Sequence, residues 1–98
     1  MAVADSEIIE QLAEFFHQNG YLRRPNWKRQ KAMPRAYKKG YEVRLVAETA
    51  AELRTIRRLL RTAGFKPGRA FRKANQWRQP LYGREEVARF LALVGDET

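Results

Sequence analysis

The side chains in this sequence that carry chemistry in quantity are lysines and arginines interleaved with aromatic rings, and the chemistry they suit is the grip on a polyphosphate. Arg23, Arg24, Lys28, Arg29, Lys31, Arg35, Lys38 and Lys39 follow one another along a single stretch that also holds Trp27 and Tyr37. Arg44, Lys66, Arg69, Arg72, Lys73 and Arg78 come later, with Trp77 among them. Cations of this kind neutralise phosphates, and rings stack on exposed bases. The distribution is uneven within a formal charge of +9: residues 21–79 carry eighteen Lys/Arg against Glu42, Glu48 and Glu52, whereas residues 1–20 carry four acids and no base. A field of that sign attracts nucleic acid, anionic lipid and acidic protein, and nucleic acid leads among the three.

Other chemistries lack their residues. There is no cysteine for a disulfide or a thiolate metal site, and the single His17 cannot build a histidine zinc cluster. Glu85 and Glu86 are placed to complement the positive end of a helix rather than to act as a catalytic carboxylate pair. No cofactor and no metal is expected. The longest apolar run falls short of the ~20 residues that span a bilayer, the first residues are acidic, and the thiol-free composition fits a reducing, cytoplasmic setting.

The elements that must position these cations read as follows. The stretch Ile8 to Tyr21 holds an amphipathic helix that ends at Gly20; its Ile8, Ile9, Leu12, Ala13, Phe15 and Phe16 share a wide arc, with Asp5 or Ser6 as its cap and Asn19-Gly20 as a left-handed stop. Tyr21 to Arg24 is a short strand stopped by Pro25. A basic arm at about 23–40, partly stranded around Trp27 to Ala32, is longer than an ordinary connection. Tyr41 to Val46 alternates as a strand, with Tyr41, Val43 and Leu45 on one side and Glu42 and Arg44 on the other.

Thr49 and Glu52 form a capping box for a helix that turns Leu53, Ile56, Leu60 and Ala63 inward and Arg54, Arg57, Arg58 and Arg61 outward, closed by Gly64. Phe65 to Asn75 and Trp77 to Tyr82 read as a hairpin turning near Asn75-Gln76, with Pro80 marking the last strand as an edge or a bulge. Gly83 leads into a final helix that buries Val87, Phe90, Leu91 and Val94 and ends at Gly95. Phe15, Phe16, Phe65, Phe71 and Phe90 are expected in the core.

Each helix has one apolar face, so the simplest solution is a single domain over residues 1–98: α+β, two-layer, ordered α-β-β-α-β-β-α, with a four-stranded, mostly antiparallel sheet covered by helices on one face. The other face is left for solvent or ligand.

This order, with Leu12-Ala13-Glu14-Phe15-Phe16-His17-Gln18-Asn19-Gly20 as its signature helix, Tyr21 after it and WRQPLYGREEVARFLALVG (77–95) as its tail, resembles a single repeat of the LAGLIDADG homing endonuclease family. The resemblance covers nearly the whole chain in pattern and few positions in identity. It implies a sheet face laid against nucleic acid, DNA ahead of RNA, with the long first hairpin reaching along the groove. Two departures bear on activity. Asn19 stands where the family has its metal-binding acid, and a neutral amide is a poor ligand for a hard cation. Glu14 stands where the family has a small residue between two packed helices, so that contact would bury a charge and a monomer is favoured over a homodimer.

The function expected is therefore non-catalytic nucleic-acid binding through the arm and sheet face, with ~4–8 phosphate contacts. The alternatives are a metal-dependent nuclease with a displaced carboxylate, for which Glu42 is the candidate, and a basic module for acidic proteins or membrane surfaces.

Overall fold

A computed structural model of the chain describes residues 6–24 and 40–95. Helix α1 (Ser6–Asn19) is followed by β1 (Tyr21–Arg23), β2 (Glu42–Ala47), α2 (Ala50–Thr62), β3 (Phe71–Lys73), β4 (Gln76–Tyr82) and α3 (Arg84–Val94). The four strands form one antiparallel sheet in the order β1-β2-β4-β3, and the fold is α+β in the sequence α-β-β-α-β-β-α. No helix among the described residues is long and apolar enough to cross a membrane.

Strand parity decides which side chains meet the helices. Register pairs Leu22 with Val43, Val43 with Leu81, Leu45 with Gln79 and Ala47 with Trp77. These residues point to the helical layer, where Val43, Leu45, Ala47 and Leu81 join Leu12, Phe16, Ile56, Leu59, Leu60, Phe65, Val87, Phe90, Leu91 and Val94 in one core. Phe90 is its centre: the rings of Phe16 and Phe65 stand edge-on to it with centroids 5.5 and 5.8 Å away, a geometry aromatic quadrupoles favour. Ile8, Ala13 and Phe15 pack around this cluster half-buried.

Local details follow the sequence with instructive changes. Ser6 is the first helical residue of α1 rather than its cap. Gly20 is not left-handed; its N–H donates to the Phe16 carbonyl at 2.7 Å, and a Cβ there would collide with the Phe16 backbone and ring. The absent side chain serves close approach, not a positive φ. At α2 the Thr49 hydroxyl accepts from the Glu52 N–H at 3.1 Å, while the Glu52 carboxylate reaches one residue further back, to the Glu48 N–H at 2.9 Å. Gly64, with φ +89°, closes α2 as expected.

The Phe65–Asn75 strand is shorter than its pattern suggests: only Phe71–Lys73 pairs, and Ala74 and Asn75, both with positive φ, make the two-residue turn one position earlier than expected. Pro80 lies within an interior strand, opposite Arg44. It is tolerated because its backbone faces the β3 side beyond the end of that strand, where its carbonyl accepts from the Gly68 N–H at 2.9 Å and no donor is needed.

Arg57 departs from the solvated stripe expected of α2. Its guanidinium donates to the Gln79 Oε1 at 2.5 Å and to the Gly68 carbonyl at 3.0 Å. Gln79, fully buried at 0% exposure, donates in turn to the Gly68 and Pro80 carbonyls. This knot of donors and acceptors ties the Pro67-Gly68 segment to the sheet and satisfies the buried Gln79 amide. Arg54, Arg58 and Arg61 remain exposed as expected.

Candidate nucleic-acid interface

The face of the sheet turned away from the helices is set by the same alternation. Tyr21 and Arg23 of β1, Glu42, Arg44 and Val46 of β2, Gln76, Arg78, Pro80 and Tyr82 of β4, and Phe71 and Lys73 of β3 share it. In cross-strand rows, Tyr21 lies beside Arg44 and Pro80, Arg23 beside Glu42 and Tyr82, and Phe71 beside Arg78 and Val46. Charged heads and rings therefore alternate across it.

Glu42 organises the middle of this surface. Only 1% exposed, its carboxylate takes an Arg23 Nη2 at 2.5 Å through Oε1 and the Arg44 Nε at 2.5 Å through Oε2. The hydrogen bond from Arg44 to Glu42 raises the Arg44 pKa further above its ordinary value, outweighing the opposing effect of partial burial, so this guanidinium is charged at any working pH. Its Cζ stands 5.4 Å from the Tyr21 ring centroid and 5.2 Å from that of Phe71, a cation held between two π-faces. Arg78 is half-buried, with one Nη on the Gln76 Oε1 at 3.0 Å. At the far end of the face the Gln76 Nε2 donates to the Glu48 carboxylate at 2.7 Å, so among the described residues Arg23, Arg44, Lys73 and Arg78 meet two carboxylates, and a local surplus of positive charge remains.

The structure divides the cations and rings the sequence singled out. Arg23, Arg44, Lys73 and Arg78 are gathered on the open face. Arg72 and Trp77 are a cross-strand pair on the helical face, where Arg72 lies 5.2 Å over the indole and the ring packs against the core, so Trp77 is no platform for a base on the open side. Period-two parity is the reason: Trp77 shares the face of Gln79 and Leu81.

Lys66 and Arg69 are exposed on the segment before β3; the Lys66 N–H donates to Glu86 of α3 at 3.3 Å, which puts that residue beside a helix end. Arg24 is exposed at the end of β1. Trp27, Lys28, Arg29, Lys31, Arg35, Tyr37, Lys38 and Lys39 lie outside the described residues, as does the expected strand at Trp27 to Ala32.

Two exposed rings on the open face were not singled out from the sequence. Tyr21 and Tyr82 are 45% and 51% exposed, the large hydrophobic side chains of the described residues that face solvent most. Phe71, expected in the core, belongs with them on this face and is half-buried. The signal was present in WRQPLY: once Leu81 is assigned to the core, Tyr82, Pro80 and Arg78 must point the other way.

The rival catalytic candidate loses its free oxygens. Both carboxylate oxygens of Glu42 are occupied by guanidinium donors, which compete for the same lone pairs a divalent cation needs. Among the described residues no group of three or more His, Cys, Asp or Glu is placed to hold a metal. Away from the sheet, a notch of about 280 Å³ is lined by Gln11, Glu14, Phe15, Gln18 and Glu52 of α1 and α2, and its charged lining is acidic. No family model, no curated protein and no solved structure matches this chain.

Proposed function

We propose that this domain binds nucleic acid, DNA or structured RNA, without cutting it, through the open face of its sheet and the basic arm that precedes β2. The scaffold is of LAGLIDADG type in element order, with Asn19 in place of the acid that would hold metal. The observation that carries the reading is the open face itself: Arg23, Arg44, Lys73 and Arg78 outnumber the carboxylates of Glu42 and of Glu48, which is held by Gln76, and Tyr21 and Tyr82 are exposed on the same face. Glu42 holds Arg23 and Arg44 in place over the strands, and ordered guanidinium groups lose little freedom when they meet a phosphate. Lys28, Arg29 and Lys31 add three positive charges in the sequence between β1 and β2.

Binding of a labelled oligonucleotide, followed by anisotropy over a range of salt, tests this. Affinity falls steeply with rising salt, with a slope consistent with about 4–8 phosphate contacts. Replacing Lys28, Arg29 and Lys31 together by alanine removes most of the binding while the thermal unfolding curve is unchanged. Equal binding to anionic lipid vesicles and heparin, with no preference for nucleic acid, would overturn the reading in favour of a general polyanion surface, and reproducible magnesium-dependent cleavage would overturn its non-catalytic part.

A further inference from the structure

On top of that reading, and resting on it, we infer that the open face takes unpaired bases: its ligand is a single-stranded segment whose bases stack on Tyr21 and Tyr82, with Phe71 at the far edge.

Each ring is supported on one side and open on the other. Arg44 lies over the Tyr21 ring at 5.4 Å, and Tyr21 is still 45% exposed. Tyr82 backs onto Gly68, where an added Cβ would stand 2.8 Å from a ring carbon, and it is 51% exposed. A ring fixed by its inner side gives up little rotamer freedom when a base covers its outer side, which is what makes it a stacking platform. A glycine at 68 is what lets the Tyr82 ring lie down against the chain.

The spacing also fits a strand better than a helix. Tyr21 and Tyr82 are on β1 and β4, separated by β2 and offset by two residues, which places them about 12 Å apart by strand spacing and rise. Arg23 and Glu42 lie in one row with Tyr82, and Arg44 and Pro80 in one row with Tyr21. A flexible chain crossing this lattice diagonally meets a ring, then cations, then a ring, so that phosphates and bases alternate with their partners. In a duplex the bases are already stacked on one another and hidden behind the backbone, so these π-faces would find no counterpart.

The test compares one labelled oligonucleotide of about 12 nucleotides, as DNA and as RNA, with the duplex of the same sequence, at low and moderate salt. The single strand is expected to bind at least about 10-fold tighter than the duplex. Tyr21→Ala and Tyr82→Ala should each weaken single-strand binding about 5-fold or more, while Tyr21→Phe and Tyr82→Phe, which keep the ring, stay close to the parent. Stacking is common to both sugars, so DNA and RNA strands should both show the ring dependence.

Duplex binding equal to or tighter than the single strand overturns the inference, as does indifference to the alanine changes in folded variants, and either result leaves the nucleic-acid reading intact. The strand-to-duplex ratio of the parent protein decides the matter even if an alanine variant fails to fold. Absence of binding to every nucleic acid at low salt removes the underlying reading and the inference together.

Discussion

The two faces of the sheet are built from the same strands and obey opposite rules. On the helical face, Val43, Leu45, Ala47 and Leu81 meet three helices, and the buried polar side chain there, Gln79, is bonded to Arg57 and to two carbonyls. On the open face, arginines and tyrosines stand in rows, Glu42 is buried between two guanidinium groups, and Val46 is only 6% exposed without belonging to the core cluster. One face is fixed by the shapes of apolar side chains, the other by charge pairing and π-contacts. The lesson is that an open sheet face need not be loose: here Glu42 takes the role that a hydrophobic layer plays on the other side.

Substitutions can break this contrast at points of decreasing effect. Phe90→Ala, removing the ring that Phe16 and Phe65 abut, should cost about 3–5 kcal/mol in thermal or urea unfolding, whereas Tyr21→Ala on the open face should cost under about 1 kcal/mol. Glu42→Gln leaves Arg23 and Arg44 without their anion. We expect a loss of about 1–3 kcal/mol in stability together with tighter polyanion binding, since the face gains a net positive charge. Opposite signs for fold and ligand are the signature sought, and a loss of both would mean that the order Glu42 imposes on Arg23 and Arg44 outweighs the charge it cancels.

Gln79→Leu removes one of the two acceptors of Arg57 and a donor to the Gly68 carbonyl, with an expected cost of about 1–2 kcal/mol and no change in salt-dependent binding. Ala74→Gly relieves the left-handed backbone at the hairpin turn, where φ is 52°, and should stabilise by about 0.5–1 kcal/mol with binding unaltered.

How much of this was readable beforehand differs along the chain for physical reasons. Helix periodicity in α1, α2 and α3, the Thr49-Glu52 cap and the alternation of β2 announced the layers, because burial on one face writes itself into spacing. The side of Trp77 was readable, since it shares a strand and parity with Leu81, and was missed; the side of Phe71 was not, because nothing local in a short β3 fixes its register and a shift of one residue exchanges faces. Pro80 suggested an edge strand because proline removes a donor; the donor was dispensable since β3 ends before reaching it. Arg57 resembled its neighbours Arg54, Arg58 and Arg61 in type, and only the fold brings Gln79 and Gly68 against it. Tyr21 was legible as the residue after a helix stop, but its role as an exposed ring beside Arg44 needed the pairing of β1 with β2.

The central claim, that the open face together with the basic segment before β2, and not the overall charge, binds the ligand, is tested most directly by two charge-matched double variants. Lys73→Gln with Arg78→Gln alters the open face; Arg58→Gln with Arg61→Gln alters the exposed side of α2 by the same two charges. Salt-dependent affinity for one oligonucleotide should fall about 10-fold or more for the first pair, with the slope reduced by about 1–2, and change little for the second. Equal losses for the two pairs, or a larger loss from α2, would contradict the account.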